Sequence, residues 1–177
     1  MKVEFAASDA LTDRQKQSIQ KLRAIVYPPE VLATLPSRHF TWSSMQWSVL
    51  VWDENELIAK ASLLVRDIFH NDIPKRIGGI GGVMTHPAKQ GQGLASQAMH
   101  EAANRFHHEL NVAYALLFCR PHLIPFYGRL GWKSFEGQLF VEQPQGKIEF
   151  SANDAMVLDV REPAPLNGVL DLNGLPW

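Results

Sequence analysis

His86-Pro87-Ala88-Lys89-Gln90-Gly91-Gln92-Gly93-Leu94-Ala95 joins a glycine-rich apolar run to the most regular amphipathic stretch of the chain. Upstream, residues 76–85 read as a strand carrying Gly78, Gly79, Gly81 and Gly82. Glycine inside a strand weakens it and marks a bulge or the close approach of a ligand. Downstream, Leu94, Ala98, Ala102 and Phe106 recur at helical spacing with Ala95, Met99 and Ala103 beside them, predicting a helix over 94–109. The junction is therefore a strand-to-helix turn. The first N–H groups of a helix lack internal partners, and the helix dipole makes that end electropositive. Gly91 and Gly93 would let a pyrophosphate reach the backbone unobstructed, with Lys89 as an added point charge. A tight turn needing glycine for its geometry alone explains the same two residues. The stretch is neither GxxxxGK[ST] nor GxGxxG, so kinase-type and dinucleotide-type loops lack their motifs.

Working outward, Thr12-Asp13-Arg14-Gln15 reads as a capping box opening a first helix with Ile19, Leu22 and Val26 as its apolar stripe, stopped by Pro28-Pro29. Residues 30–45 read as loop or short helix. Residues 46–52 and 56–66 form a hairpin around Asp53-Glu54-Asn55, and His70-Asn71-Asp72-Ile73-Pro74 makes a second turn. After the main helix, 112–119 reads as a buried strand and 121–130 as a short helix closed by Gly131. Strands near 139–141 and 155–160 precede a Pro-rich 161–165 and an extended end. This order predicts an α/β (α+β mixed) fold, a mixed and mostly antiparallel sheet flanked by helices, as one domain over 1–177.

Bulk composition narrows the function classes. Across 177 residues, 46% hydrophobic and 20% charged is the balance of a globular domain with a sizeable core. Seventeen Lys and Arg against eighteen Asp and Glu leave a net charge of −1, which disfavours nucleic acid as a partner. No apolar run approaches the roughly 20 residues of a membrane span, and the N-terminus lacks the pattern of a signal peptide, so a cytoplasmic location is the default expectation. Cys119 alone makes no disulfide framework, and no HExxH or other metal-ligand spacing occurs. His107 and His108, adjacent on a helix, point about 100° apart and make a poor metal pair.

Gln90-x-x-Gly93-x-Ala95, following Val83-Met84-Thr85, resembles the acyl-coenzyme A loop (Gln/Arg)-x-x-Gly-x-(Gly/Ala) of GNAT-superfamily N-acetyltransferases. One helix and one strand further on, Phe126-Tyr127-Gly128-Arg129-Leu130-Gly131-Trp132 resembles that superfamily's second motif, Phe/Leu-Tyr-x-x-x-Gly-Phe/Trp. Both motifs in this order are strongly specific, and the resemblance spans residues 46–135. A closer similarity, from Phe126–Gly137, the strand Asp154-x-Met156-Val157-Leu158 and the end on tryptophan, is to the aminoglycoside 2′-N-acetyltransferase and nodulation N-acyltransferase branch.

The resemblance implies direct attack of an acceptor amine on an acyl-CoA thioester, with acetyl-CoA or another acyl-CoA as co-substrate and a small-molecule amine as partner. It implies coenzyme contacts from Val83, Met84, Thr85, Gln90, Gly91, Gln92, Gly93, Leu94 and Ala95. Arg120, which stands where the family often has Asn, is a further coenzyme contact that the resemblance implies. Tyr127 would be the general acid, and Trp42, Asp154, Asp171 and Trp177 fall where that branch contacts its acceptor, with Glu30 a looser candidate. Dimers are common in the superfamily, although no residue here identifies a homodimer. An unperturbed alkylammonium must lose a proton at a cost of roughly 4–5 kcal/mol near neutral pH, yet Gly81 stands where that branch carries its basic carboxylate. The base then comes from elsewhere or the acceptor needs none. A polycationic acceptor wants more carboxylates than this chain offers, while the aromatic content of 40–52 suits an apolar one. The alternative is a non-catalytic acyl-CoA-binding or sensing domain. A pure scaffold would leave the glycines of 78–93 without a role.

Overall fold

The structure, a computed structural model, describes residues 1–35 and 38–177; Pro36 and Ser37, within the stretch read as loop or short helix, lie outside the described residues. Its spine is a pair of long antiparallel strands, β3 (Glu56–His70) and β4 (Ile73–Thr85). Asn71 and Asp72 between them both take positive φ, 47° and 64°. That is the signature of a tight two-residue hairpin turn, which Asn and Asp tolerate. The tight turn lets pairing begin at His70 opposite Ile73, so both strands run further toward the turn than the expected limits at 66 and 76.

The other edge of β3 is shared. Its first half pairs with β2 (Trp47–Asp53), which carries β1 (Lys2–Ala7) beyond it, and its far end pairs with β10 (Val169–Asp171). Outward from β10 come β7 (Gln138–Gln143) and β8 (Gly146–Glu149). On the β4 side lie β5 (Tyr114–Cys119), β9 (Asp154–Asp159) and the two-residue β6 (Lys133–Ser134). The β4–β5 and β10–β7 pairings are parallel and the rest antiparallel. This mixed, mostly antiparallel sheet with flanking helices is the expected architecture. Strands β1, β6, β8 and β10 are additions to the reading from sequence.

Helix α1 (Asp13–Val26) begins as its capping box requires: the Thr12 hydroxyl accepts from the Gln15 N–H, and the Gln15 side chain accepts from the Thr12 N–H. Helix α2 (Pro29–Leu32) follows at once, with proline supplying its first position. The main helix, α3 (Leu94–His108), buries Leu94, Ala98, Met99, Ala102 and Phe106 against the sheet. Its alanines allow close approach, and Gly78 on β4 answers Phe106: a Cβ there would stand 2.5 Å from the ring. Gly79 similarly makes room for Trp177, whose ring would lie 2.3 Å from an added Cβ. Two glycines expected to mark a ligand or bulge thus serve packing. Helix α4 (Ile124–Gly128) closes the second motif with Gly131 at φ 89°.

Candidate functional site

Strands β4 and β5 stay paired only from Gly78–Ala115 to Ile80–Leu117. Beyond that point β4 runs on to Thr85 against β3, while β5 runs on to Cys119 against β9. A bulge drives the two apart. Between Ser62–Gly81 and Lys60–Met84, Gly82 and Val83 together oppose Ala61, and Gly82 takes φ 55°. The divergence opens a cleft of about 630 Å³ whose floor is the parting strands and whose walls come from α1, the segment after α2, α4 and the C-terminal tail. Val83 and Met84 line it; Thr85 ends the same strand edge.

The chain leaves that edge through the 86–93 loop. His86 accepts a hydrogen bond from the Ala88 N–H, pinning the turn, and Gly93 caps α3 in the left-handed region at φ 77°. Gly91 takes φ 76°, and at both glycines an added Cβ would meet open space. The conformation needs glycine, and the space beside it is free for a ligand. Gln90, Gly91, Gln92 and Gly93 are exposed, whereas Leu94 is in the core, so only its backbone can serve a ligand. Lys89 is not a free charge: it pairs with Asp53 at 3.0 Å, which raises its pKa.

Tyr127 is buried at the cleft, edge-on to Phe126 and Trp132. Burial, reinforced by Cys119 and Tyr27, pushes its pKa well above the ordinary tyrosine value, so it stays protonated throughout the neutral range. Cys119 is pushed up to about 11 by burial and by Asp154, which leaves it a thiol and a poor nucleophile.

The four candidate acceptor residues separate. Trp42 and Trp177 line the cleft; Asp154 and Asp171 do not. Asp154 lies exposed opposite Cys119 on β9, with Asn153 taking the cleft-lining place beside it. Asp171 is paired with Lys147 at 2.5 Å. Trp177 is held from three sides: its indole N–H donates to the Leu116 carbonyl at 3.3 Å, Gly79 receives its ring, and Arg66 stacks 5.1 Å from its centroid. Arg66 also donates to the Leu175 carbonyl and Ser43 Oγ, joining the tail to the loop before β2. Arg120 lines the cleft mouth, and Glu30 does not line it.

The residue that sequence reasoning missed is Lys60. It is 7% exposed, lines the cleft and donates to Ser62 Oγ. A Cβ added at Gly82 would stand 3.7 Å from its Nζ, which fixes the ammonium beside the bulge. Burial first, and Arg23 second, lower its pKa to about 8. The available signal was a lysine and a serine two residues apart inside Leu57-Ile58-Ala59-Lys60-Ala61-Ser62-Leu63, a run otherwise fit for a core strand. A second hollow, of about 620 Å³, lies beside the β2–β3 turn; Asp53, Glu54 and Glu56 line it against Lys21 and His86, so carboxylates outnumber the basic groups.

A mixed sheet parted at a parallel pair, with a glycine loop and helix at the parting, defines an acyltransferase-like class. Residues 10–135 match the model of the acetyltransferase (GNAT) domain family, well over half the chain, and the chain belongs to that family. The fold is similar to that of an acyl-CoA N-acyltransferase from Pseudomonas aeruginosa, with 19% identity over 89% of this chain and 98% of that one, TM-score 0.62. It is also similar to ElaA from Escherichia coli, with 20% identity over 89% and 99%, TM-score 0.61. A GNAT family N-acetyltransferase from Escherichia coli in complex with CoA shares 14% identity over 97% and 90%, TM-score 0.60. No curated protein matches at the level of sequence. No described helix is long and apolar enough to cross a membrane.

Proposed function

We propose that the chain is an acyl-CoA-dependent N-acyltransferase that moves an acetyl or similar acyl group to a small-molecule amine. The observation carrying this reading is the parting of β4 from β5 beside the Gln90–Ala95 loop. It leaves the Gly81–Thr85 backbone edge without a β5 partner, available to an extended pantetheine arm and thioester. The loop's N–H groups and the α3 dipole suit the pyrophosphate. The acceptor nitrogen attacks the thioester carbonyl, the C–N bond forms, and the C–S bond breaks with its electron pair passing to sulfur. Counted from the ammonium, the nitrogen gives up two protons, one before attack and one as the amide forms; the sulfur gains one and solvent takes the other.

The cleft eases the first of these proton losses without an aspartate or glutamate side chain among its described lining residues. Lys60 is a resident amine there, and its own pKa falls to about 8. An acceptor ammonium entering the same desolvated, cationic space is pushed the same way, toward the neutral nucleophile. Tyr127 has the opposite character. A thiolate of ordinary pKa, about 8.5, is a weaker base than so raised a tyrosinate. Tyr127 therefore serves the departing sulfur as a hydrogen-bond donor, and the thiolate takes up, through solvent, one of the two protons that the nitrogen sheds. A polycationic aminoglycoside is disfavoured, because Arg23, Arg38, Lys60 and Arg120 all line the cleft.

The absence of a carboxylate side chain among the described cleft-lining residues also favours a second reading, an acyl-CoA-binding or sensing domain without turnover. Calorimetric titration with acetyl-CoA, CoA and ATP, followed by thiol release with an amine panel, separates the two. Micromolar CoA-selective binding with thiol release is expected. Binding without release under every amine would leave the sensor, and no CoA binding by folded protein would defeat both. Tyr127→Phe should lower kcat about tenfold with coenzyme affinity changed less than about threefold. An unchanged kcat would remove Tyr127 from the chemistry.

A further inference from the structure

The cleft carries more positive charge than its walls answer. Lys60 enters from the middle of β3, and among the described residues its ammonium has one hydrogen-bond partner, the uncharged Ser62 hydroxyl. Arg23 faces the same space from α1. Arg38 and Arg120 extend the cationic lining, Arg38 donating to the Ala33 carbonyl. No aspartate or glutamate side chain lines the cleft among the described residues; the one carboxylate there is that of Trp177, whose carboxyl carbon would stand 3.2 Å from a Cβ at Gly81, and none of these four cations forms an ion pair with it or with another carboxylate. Outside the cleft, Lys2, Lys75, Arg76, Lys89, Arg105, Lys133 and Lys147 each hold a carboxylate, and Lys16, Lys21 and Arg129, which hold none, are exposed to water, unlike Lys60. A buried ammonium left without a counter-charge is costly, and such charges persist where a ligand completes them. The surrounding walls are apolar, with Trp42, Met45, Phe118 and Trp177 prominent.

We propose that the acceptor is an amine bearing a carboxylate on an apolar body, the chemistry of an α-amino acid with a large apolar side chain. This rests on the acyl-transfer reading above. Lys60 and Arg23 hold the carboxylate, and the aromatic wall holds the body. In an α-amino acid the nitrogen and the carboxyl group share one carbon. A carboxylate held by Lys60 at the Gly82 bulge therefore places the amine beside the open edge of β4, where the thioester lies. A carboxylate on the acyl group would satisfy the same cations, so the source has to be tested.

The test begins with calorimetric titration of the full chain by CoA, because failure there defeats the acyl-transfer reading itself. Thiol release from acetyl-CoA is then compared for phenylalanine and 2-phenylethylamine, which lacks only the carboxylate. The expected preference for phenylalanine in kcat/KM is at least about tenfold, in line with one hydrogen-bonded charge pair. Lys60→Met should abolish it, and Arg23→Gln, on an exposed helix face, should reduce it. Equal rates for the two amines, or a preference unchanged in both variants, would overturn the proposal. Succinyl-CoA turning over with 2-phenylethylamine while acetyl-CoA fails with phenylalanine would overturn it too, moving the carboxylate to the acyl group. If no amine reacts, the CoA-loaded protein is titrated with N-acetylphenylalanine and with N-(2-phenylethyl)acetamide. Tighter binding of the first by about tenfold supports the assignment, and equal binding in a CoA-competent protein overturns it alone.

Discussion

The two ends of the cleft are built from different materials. At the end proposed for the coenzyme, one continuous stretch, Gln90–Ala95, offers backbone N–H groups through glycines at φ 76° and 77°, and the nearby lysine is already neutralised by Asp53. At the end proposed for the acceptor, side chains arrive from α1, β3, the segment before β2 and the C-terminal tail, and the cations among them hold no carboxylate within ion-pair distance. A recognition surface made of backbone is written contiguously, because local conformation alone creates it. A surface made of side chains exists only after strands distant in sequence have paired. The first end is generic for a shared coenzyme; the second is where this chain is particular.

The largest effect that tests the contrast is on stability. Lys60 is less protonated in the fold than in the unfolded chain between pH about 8 and 10.5. The unfolded state binds more protons there, so stability rises with pH across that window. Below pH 8 the full cost of the buried ammonium is present, on the order of 3 kcal/mol. The titratable and charged groups sharing the cleft with it are Arg23, Arg38, Arg120, Tyr27, Tyr127, Cys119 and the Trp177 carboxylate, and of these the Arg23 guanidinium adds to the effect of burial. Lys60→Met should therefore raise the denaturation midpoint at pH 7, with the gain over wild type shrinking as pH climbs past 8. A variant no more stable than wild type at pH 7, with no pH-dependent gap, would show that the ammonium already has a counter-charge in the free protein.

The same contrast explains what the sequence disclosed. The capping box at Thr12, the Asn71-Asp72 turn, the α3 stripe and both motifs are local patterns, and each determines its own geometry. Strands β1 and β10 are different. Strand β10 has three residues and gains its identity from partners at Phe69–His70 and Gln138–Phe140. Lys60 was hidden because an apolar run reads as core whichever face opens on a cavity. Asp171 has the right chemistry for an acceptor contact, but β10 pairs it with Phe69 at the far end of β3, away from the cleft-lining Lys60 and Ser62, where it meets Lys147.

A middle-sized effect probes how the tail builds the acceptor wall. At Gly79 an added Cβ would meet the Trp177 indole at 2.3 Å, and that ring cannot swing aside without losing the Leu116 carbonyl and the Arg66 stack. Gly79→Ala should cost about 1–3 kcal/mol by overpacking. In a Trp177→Ala background the same change should cost at least about 0.5 kcal/mol less, since the clash has gone. Strict additivity in denaturant titrations would separate the glycine from the tail.

The smallest effect concerns the charge beside the coenzyme loop. Lys89 follows the β4 edge directly and is the basic residue nearest the glycines in sequence, which makes it the natural candidate to meet a phosphate. The structure gives its ammonium to Asp53 at 3.0 Å instead. Losing such a pair to reach a phosphate exchanges one exposed ion contact for another, and exposed pairs contribute little. Lys89→Met should therefore change CoA affinity less than about twofold in 0.15 M salt. Asp53→Asn frees the same lysine and should tighten CoA binding, more so at low ionic strength, where exposed charges are less screened. If instead Lys89→Met weakened CoA about tenfold, the coenzyme end would depend on a side-chain charge as the acceptor end does, and the division between them would fail.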